Sequence, residues 1–371
     1  MHSMRNVESS TRSLYRVMIA GGGTGGHVVP ALAVGRELRD QHGVQVRFVG
    51  TARGLEARMV PDAGFQLELV RSGQLKNVSL TTRVRTMFDL PFGVLQCLRL
   101  LREFRPQVVV GVGGYASGPA MLAALLLRIP TLAFEPNAVP GLTNRLIGRF
   151  VTAAAVNFAD TASFFRKAEI TGVPVRPEIF TLPSKPLGSP PRLLVTAGSQ
   201  GAQVFNQTIP RIAAALLLAV PELSIVHQAG PRHLESTRAA YAASGADPVR
   251  WSVEAFLADM PAQYAAADLV LARSGSTVSE LAAAGKPSLL VPFPQAADDH
   301  QLRNAEMLAK AGAAVVLLQR EVTDALLLRE LTELLNDGPR RAEMAERARS
   351  LARPGALQRI AAMVLQLASA Q

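Results

Sequence analysis

The chain has 371 residues, too many for one small module and enough for two or three domains. Its 49% hydrophobic and 18% charged residues exclude a disordered chain, and a single cysteine, Cys97, excludes an internal disulfide or a cysteine-rich metal centre and fits a reducing compartment. A net charge of +10 favours an anionic partner, while 5% aromatic residues argue against a single-strand binder that works by stacking.

The first thirteen residues are polar and mixed in charge, and the apolar run Val17–Ala20 is too short for a secretory signal. The longest apolar segment, Met121–Phe134, is interrupted by Arg128 and Pro130, so no stretch of about 20 apolar residues is present to span a bilayer. The expectation is a protein in the cytosol, or one attached to a membrane from that side.

Short apolar runs alternate with longer helical stretches. Val17–Ala20 reads as a strand, followed by a glycine-rich loop and a helix over Val28–Gln41. Further strands are predicted at Gln45–Val49, Val108–Val112, Thr131–Phe134 and Val151–Ala155. This β-loop-α rhythm predicts a parallel sheet covered by helices. Prolines at 174, 177, 183, 186, 190 and 191 mark Gly172–Pro191 as a linker. The pattern then restarts, with a strand at Arg192–Thr196, a loop at Ala197–Ala202 and a helix at Gln203–Ala219. Ser224–Gln228, Leu269–Ala272, Ser288–Val291 and Ala314–Leu317 supply later strands, and Arg341–Leu367 is helical with a break at Pro354-Gly355. Such sheets bind ligands at the carboxyl ends of their strands, so function is expected on the loops that follow them.

Gly21-Gly22-Gly23-Thr24-Gly25-Gly26-His27 follows a strand and opens a helix, a placement suited to an anion because glycines admit close approach and helix starts offer N–H groups. A dinucleotide site would need an acid at the end of the second strand, which instead reads Val49-Gly50-Thr51. A P-loop would need Gly-Lys-Ser/Thr, which is absent; the remaining alternative is a tight structural turn. Gly198-Ser199-Gln200-Gly201-Ala202 has the same placement in the second half, and Val112–Pro119 is a third glycine-rich loop. Two such loops in matching places favour a two-domain enzyme that handles phosphates. The charge alone suggests a nucleic-acid binder, but no helix-turn-helix or aromatic ribonucleoprotein signal accompanies it.

Further motifs are Gly141-Leu142-Thr143-Asn144, Arg273-Ser274-Gly275 through Thr277-Val278-Ser279-Glu280, and Asp299-His300-Gln301 with Asn304-Ala305. With Gly22–His27, Gly113–Pro119 and Gly198–Gln203, and in this order, they resemble the MurG family of bacterial cell-wall glycosyltransferases over most of the chain. The resemblance implies an α/β GT-B fold, two Rossmann-like doubly wound domains facing across a cleft. Residues 14–172 would form the acceptor and membrane-associated domain and 173–347 the donor domain. Residues 348–371 would be helices packing back on the first domain. It implies inverting, metal-independent transfer of N-acetylglucosamine from UDP-N-acetylglucosamine to the 4-hydroxyl of the muramoyl sugar of lipid I, forming lipid II, with no cofactor. The implied partners are those two substrates, an anionic membrane surface and other cell-wall synthesis proteins, and not nucleic acid. The implied place is the cytoplasmic face of the bacterial inner membrane, held peripherally.

On the donor side, the resemblance implies that Glu280 grips the ribose hydroxyls. Ser199, Gln200 and Arg176 would meet the diphosphate, to which the arginine fork is suited. Leu257 would lie against the uracil, Ser276, Thr277, Val278 and Ser279 would offer local contacts, and Gln301 with Asn304 would bond the sugar hydroxyls. The segment before Glu280 is one residue shorter than the family's Ser-Gly-Ala-Leu-Thr form. On the acceptor side stand Thr24, Gly25, Gly26, His27, Tyr115 and Asn137. Phe134-Glu135-Pro136-Asn137 stands where the family has His-Glu-Gln-Asn, so the resemblance assigns no catalytic role to the position of Phe134. His27 is the candidate base or positions the acceptor diphosphate, and Glu135 is the alternative base. No cluster of His and carboxylates has metal-ligand spacing.

For the membrane, Met87, Phe88, Leu90, Phe92, Val94 and Leu95 are flanked by Lys76, Arg83, Arg85, Arg99 and Arg102. Met87–Phe92 is expected to meet lipid, whereas Val94, Leu95, Leu98 and Leu101 are expected to be a buried helix face.

Overall fold

The computed structural model describes residues 15–73, 80–114, 116–183, 185–186 and 188–370, and the backbone alone of 80–88 and 297. Tyr115, Lys76 and the side chains of Arg83, Arg85, Met87 and Phe88 lie outside the described residues.

Among the described residues the chain divides into two units. The first comprises residues up to Glu135, Pro140–Pro174 and Gly355 onward; the second comprises Pro136–Val139 and Val175–Pro354.

The first unit holds strands β1 (Arg16–Ala20), β2 (Gln45–Gly50), β3 (Gln66–Leu69), β4 (Val108–Gly111), β5 (Thr131–Glu135), β6 (Ala153–Val156) and β7 (Ala168–Ile170). They form one parallel sheet in the order β3-β2-β1-β4-β5-β6-β7. The central strands are apolar because both faces are covered. Val17, Ile19, Val108 and Val110 pack on one face, against Ile360 and Val364 of the helix Ala356–Ser369. Met18, Ala20 and Val109 pack on the other, against Cys97, Leu101 and Met121.

The second unit holds β8 (Arg192–Thr196), β9 (Ser224–Gln228), β10 (Trp251–Glu254), β11 (Leu269–Ala272), β12 (Ser288–Leu290) and β13 (Ala314–Val316). This sheet is also parallel, in the order β10-β9-β8-β11-β12-β13. Both orders reverse direction beside the first strand of the unit, between β1 and β4 and between β8 and β11. Loops at such a switch point diverge and leave room for a ligand.

Three strands escape the sequence pattern: β3, β7 and β10. Each is an edge strand with one hydrogen-bonded neighbour, so none needs a continuous apolar run. The strand expected at Val151–Ala155 occupies Ala153–Val156. The helix expected at Val28–Gln41 starts at Gly25, runs to Arg36, and widens to i→i+5 bonding over Glu37–Gln41. The proline-rich linker contains one helical turn, Pro177–Phe180, with proline at its first position, where a missing N–H costs nothing. The terminal helical stretch is two helices, Gly338–Leu351 and Ala356–Ser369, separated at the Pro354-Gly355 break.

Leu95 corrects the expected buried face. On the helix Leu80–Phe104 the buried stripe is Gly93, Cys97, Leu101 and Phe104. Leu95 is two residues, about 200° round the helix, from both Gly93 and Cys97 of that stripe, and it is 61% exposed. Phe92, three residues earlier, is 55% exposed. Arg99 and Arg102 continue the same outer face and are exposed. No described helix is long and apolar enough to cross a membrane.

Candidate active site

The loop after β1 enters the helix Gly25–Arg36 through Thr24, whose backbone is extended and whose side chain makes no capping bond. Thr24 is exposed. The first N–H groups of a helix have no intrahelical acceptor, so this loop presents donors outward. The loop after β4 supports it. A Cβ on Gly114, which has φ +79°, would overlap the carbonyl oxygen of Gly22. The two loops therefore meet backbone to backbone. The His27 imidazole lies on Gly113, where a Cβ would sit 2.8 Å from Cε1 and 2.9 Å from Nδ1.

Beneath this loop is a residue that the sequence pattern did not single out. Glu56, from the helix Glu56–Asp62, is 1% exposed. Its Oε2 accepts the Gly23 N–H at 2.7 Å, and its Oε1 accepts the N–H and the hydroxyl of Thr51, each at 2.9 Å. A carboxylate thus does sit beside the end of β2, although the strand itself carries none. Both of its oxygens are occupied by the protein, which leaves it unsuited to hold a ribose.

Glu135 ends β5 and is 2% exposed. Its Oε2 accepts the Gly141 N–H at 2.9 Å and Asn144 Nδ2 at 3.0 Å, while the same Nδ2 lies 3.3 Å from the Phe134 carbonyl. The carboxylate therefore ties the end of β5 to the Gly141–Asn144 motif. The Phe134 ring is core.

In the second unit the loop after β8 is built on the same plan. Ser199 and Gln200 are exposed, and the helix Gln203–Ala219 follows. A Cβ on Gly201 would overlap the Ala229 carbonyl, and one on Gly230, with φ +83°, would overlap the Gln200 carbonyl. The supporting loop here follows β9, and Gly230 lay outside every motif read from the sequence. Asn206 Nδ2 fixes that loop by donating to the Ala229 carbonyl at 3.0 Å. Its Oδ1 lies 3.0 Å from His227 Nε2, and His227 Nδ1 lies 3.1 Å from the Tyr241 hydroxyl. Burial lowers the His227 pKa to about 3, so the ring is neutral. Because Asn206 Oδ1 can only accept, Nε2 carries the proton and Nδ1 accepts from Tyr241. Tyr241 stacks on Trp251 at 4.9 Å.

The loop after β11 carries Arg273, Ser274, Gly275 and Ser276 into the helix Thr277–Ala284. Arg273 is structural: it donates to the Val291 and Pro292 carbonyls and to Gln319 Oε1, at 2.9, 3.1 and 2.7 Å. Burial lowers its pKa to about 10. Glu280 accepts from the Tyr264 hydroxyl at 2.9 Å, and Arg176 stands 3.9 Å from its other oxygen. Burial raises the Glu280 pKa, against the opposing pull of Tyr264 and Arg176. Val278 and Leu257 are buried, whereas Phe256 beside Leu257 is exposed. Ser276 is exposed, and Thr277 and Ser279 are half-buried.

Gln301 and Asn304 are one turn apart on the helix His300–Lys310. Gln301 Oε1 accepts the Phe293 N–H at 3.0 Å. Asn304 is buried and engaged within the unit: its Oδ1 accepts the Ala138 N–H at 2.9 Å, and its Nδ2 donates to the Ser274 carbonyl at 3.1 Å and to Asn137 Oδ1 at 3.2 Å. Asp298 and Asp299, just before this helix, both have positive φ, a strain that tends to accumulate at functional loops. Among the described residues no group of three or more His, Cys, Asp or Glu is arranged to hold a metal ion.

Residues 17–156 match the glycosyltransferase family 28 N-terminal domain, and residues 192–360 match the family 28 C-terminal domain. A curated relative from Solibacter usitatus is 46% identical over 95% of this chain and 96% of its own. One from Anaeromyxobacter dehalogenans is 45% identical over 95% and 93%. Both are named UDP-N-acetylglucosamine–N-acetylmuramyl-(pentapeptide) pyrophosphoryl-undecaprenol N-acetylglucosamine transferase. The crystal structure of MurG from Acinetobacter baumannii superposes with a TM-score of 0.80 at 34% identity, covering 95% of this chain and 99% of that one.

Proposed function

The chain belongs to glycosyltransferase family 28, and from that premise we propose that it transfers N-acetylglucosamine from UDP-N-acetylglucosamine to lipid I, forming lipid II for peptidoglycan synthesis. Its fold is that of the GT-B glycosyltransferases. The observation that carries the function is the near full-length likeness to transferases of this one named activity. The two glycine loops, each at the switch point of its own sheet, supply a matching chemistry, since each substrate carries a diphosphate.

The second unit takes the donor. Ser199, Gln200 and Arg176 receive the diphosphate as charge builds on the departing UDP. Glu280 accepts the ribose hydroxyls, Leu257 backs the uracil, and the Ser276–Ser279 segment supplies contacts from a helix start. With its oxygen held by Phe293, Gln301 turns its amide NH2 to the sugar. Asn304 contributes through the backbone it fixes.

The first unit takes the acceptor, with Thr24, Gly25, Gly26 and Tyr115 at its diphosphate; Asn137 also serves the acceptor. The acceptor 4-hydroxyl attacks the anomeric carbon with inversion, and His27 takes its proton. Glu135 is the weaker base candidate, because its carboxylate is committed to Gly141 and Asn144. His27→Ala is expected to lower turnover at saturating acceptor by about 10²–10⁴-fold. Undiminished turnover would assign His27 to positioning instead.

The lipid acceptor places the enzyme peripherally at the cytoplasmic face of the inner membrane, with Phe92, Leu95, Arg99 and Arg102 toward the bilayer. The test of the whole reading is a radiolabelled UDP-N-acetylglucosamine assay with a lipid I analogue, with UDP-N-acetylgalactosamine as control. Label is expected in the lipid product from the first sugar nucleotide only; no transfer would overturn the reading.

A further inference from the structure

We infer that Glu56 is a positioning residue for the acceptor: its buried carboxylate holds the Gly23 peptide so that Thr24, Gly25 and Gly26 face the acceptor diphosphate. This rests on the reading of that loop as the acceptor's diphosphate site.

A carboxylate buried to 1% exposure needs hydrogen-bond donors, and both oxygens of this one have them. Thr51 supplies two donors to Oε1, and Gly23, 33 residues away in sequence, supplies one to Oε2. The hold on Gly23 is two-sided, because its carbonyl accepts the N–H of Leu55 at 3.3 Å. The residues around the carboxylate make room for it. A Cβ on Gly22, Gly50 or Gly54 would overlap the Glu56 side chain. Glu56 thus spends the Gly23 N–H inward and leaves the N–H groups at the start of the helix Gly25–Arg36, with the exposed Thr24, to turn outward.

Glu56→Gln tests the role with little change of shape. Thr51 presents two donors and retains the amide oxygen, so the new NH2 faces the Gly23 N–H and that bond is lost. In the full chain, E56Q is expected to raise KM for a lipid I analogue about tenfold. KM for UDP-N-acetylglucosamine and the affinity for UDP are expected to stay within about twofold. Thr51→Val removes a bond to the same carboxylate but not the Gly23 bond, and leaves both KM values unchanged. A role confined to stability would lower the melting temperature without separating the two KM values, and would overturn the inference. If Thr24→Ala raises acceptor KM and E56Q does not, the role of Glu56 falls and the loop reading stands. If neither variant moves acceptor KM, both fall. Should E56Q not fold, Gly54→Ala displaces the same carboxylate and carries the same expectation.

Discussion

The Tyr264 hydroxyl donates to Glu280 Oε2 at 2.9 Å from a fully buried ring, which fixes one carboxylate oxygen and leaves the other 3.9 Å from Arg176. Burial raises the Glu280 pKa, while the Tyr264 bond and the Arg176 charge restrain the rise. Tyr264→Phe removes the first of these restraints, leaves the Arg176 charge, and raises the pKa further. On the proposed role of Glu280 at the ribose, the ionised carboxylate is the better acceptor, so donor KM in Y264F should climb at a higher pH than in the parent as acidity increases. Donor KM measured from about pH 5 to 8 checks this; identical profiles would remove Tyr264 from the donor site.

His227 makes stability depend on pH. Its folded pKa is depressed to about 3 from 6.5 by burial, so between these values the unfolded chain binds a proton that the folded chain refuses. The contribution is complete above pH 6.5 and declines as pH falls toward 3, by up to about 1.4 kcal/mol per pH unit. His227→Gln should flatten that decline while lowering stability at neutral pH through the broken Tyr241–His227–Asn206 chain. Urea midpoints measured on both proteins at several acidic pH values decide the matter.

Gly230→Ala combines a positive φ with an overlap on the Gln200 carbonyl. The expected cost is about 1–3 kcal/mol of stability, with a raised KM for the sugar nucleotide and an unchanged KM for the lipid. Thermal unfolding with and without UDP, together with the two KM values, reads both effects. An unaltered donor KM would detach this loop from nucleotide binding.

Phe92 and Leu95 project from one helix face with Arg99 and Arg102 beyond them. The double variant Phe92→Ser, Leu95→Ser should bind acidic phospholipid vesicles more weakly and keep its activity on a water-soluble lipid I analogue. Vesicle flotation measures the first, and unchanged binding would exclude this face as a membrane contact.

The central strands were legible because burial on both faces forces apolar runs; Arg192–Thr196, Ser224–Gln228 and Leu269–Ala272 coincide with their predicted bounds. Edge strands β3, β7 and β10 carry no such demand and were invisible. The glycine loops were legible because the chemistry of close approach leaves glycine as its mark. Glu56 was not: an acid in Gly-Leu-Glu-Ala-Arg looks like solvated helix surface, and its decisive partner, Gly23, is far away in sequence. Gly230, Asn206 and His227 were hidden for the same reason, since each acts through a neighbouring strand. Leu95 misled because an apolar i, i+1, i+4, i+7 set does not say which of its members faces the core; here Leu101 does and Leu95 points away.

Pairing between β8 and β9 matches Val195 with His227, two residues before Ala229 and three before Gly230. A slip of one residue would carry that tip about 3.3 Å along the strand and unseat Gln200 and Gly201. The position of that rim is therefore calibrated by hydrogen bonding inside the sheet. Affinity for UDP should respond to substitutions in the buried heart of this unit that no ligand ever touches.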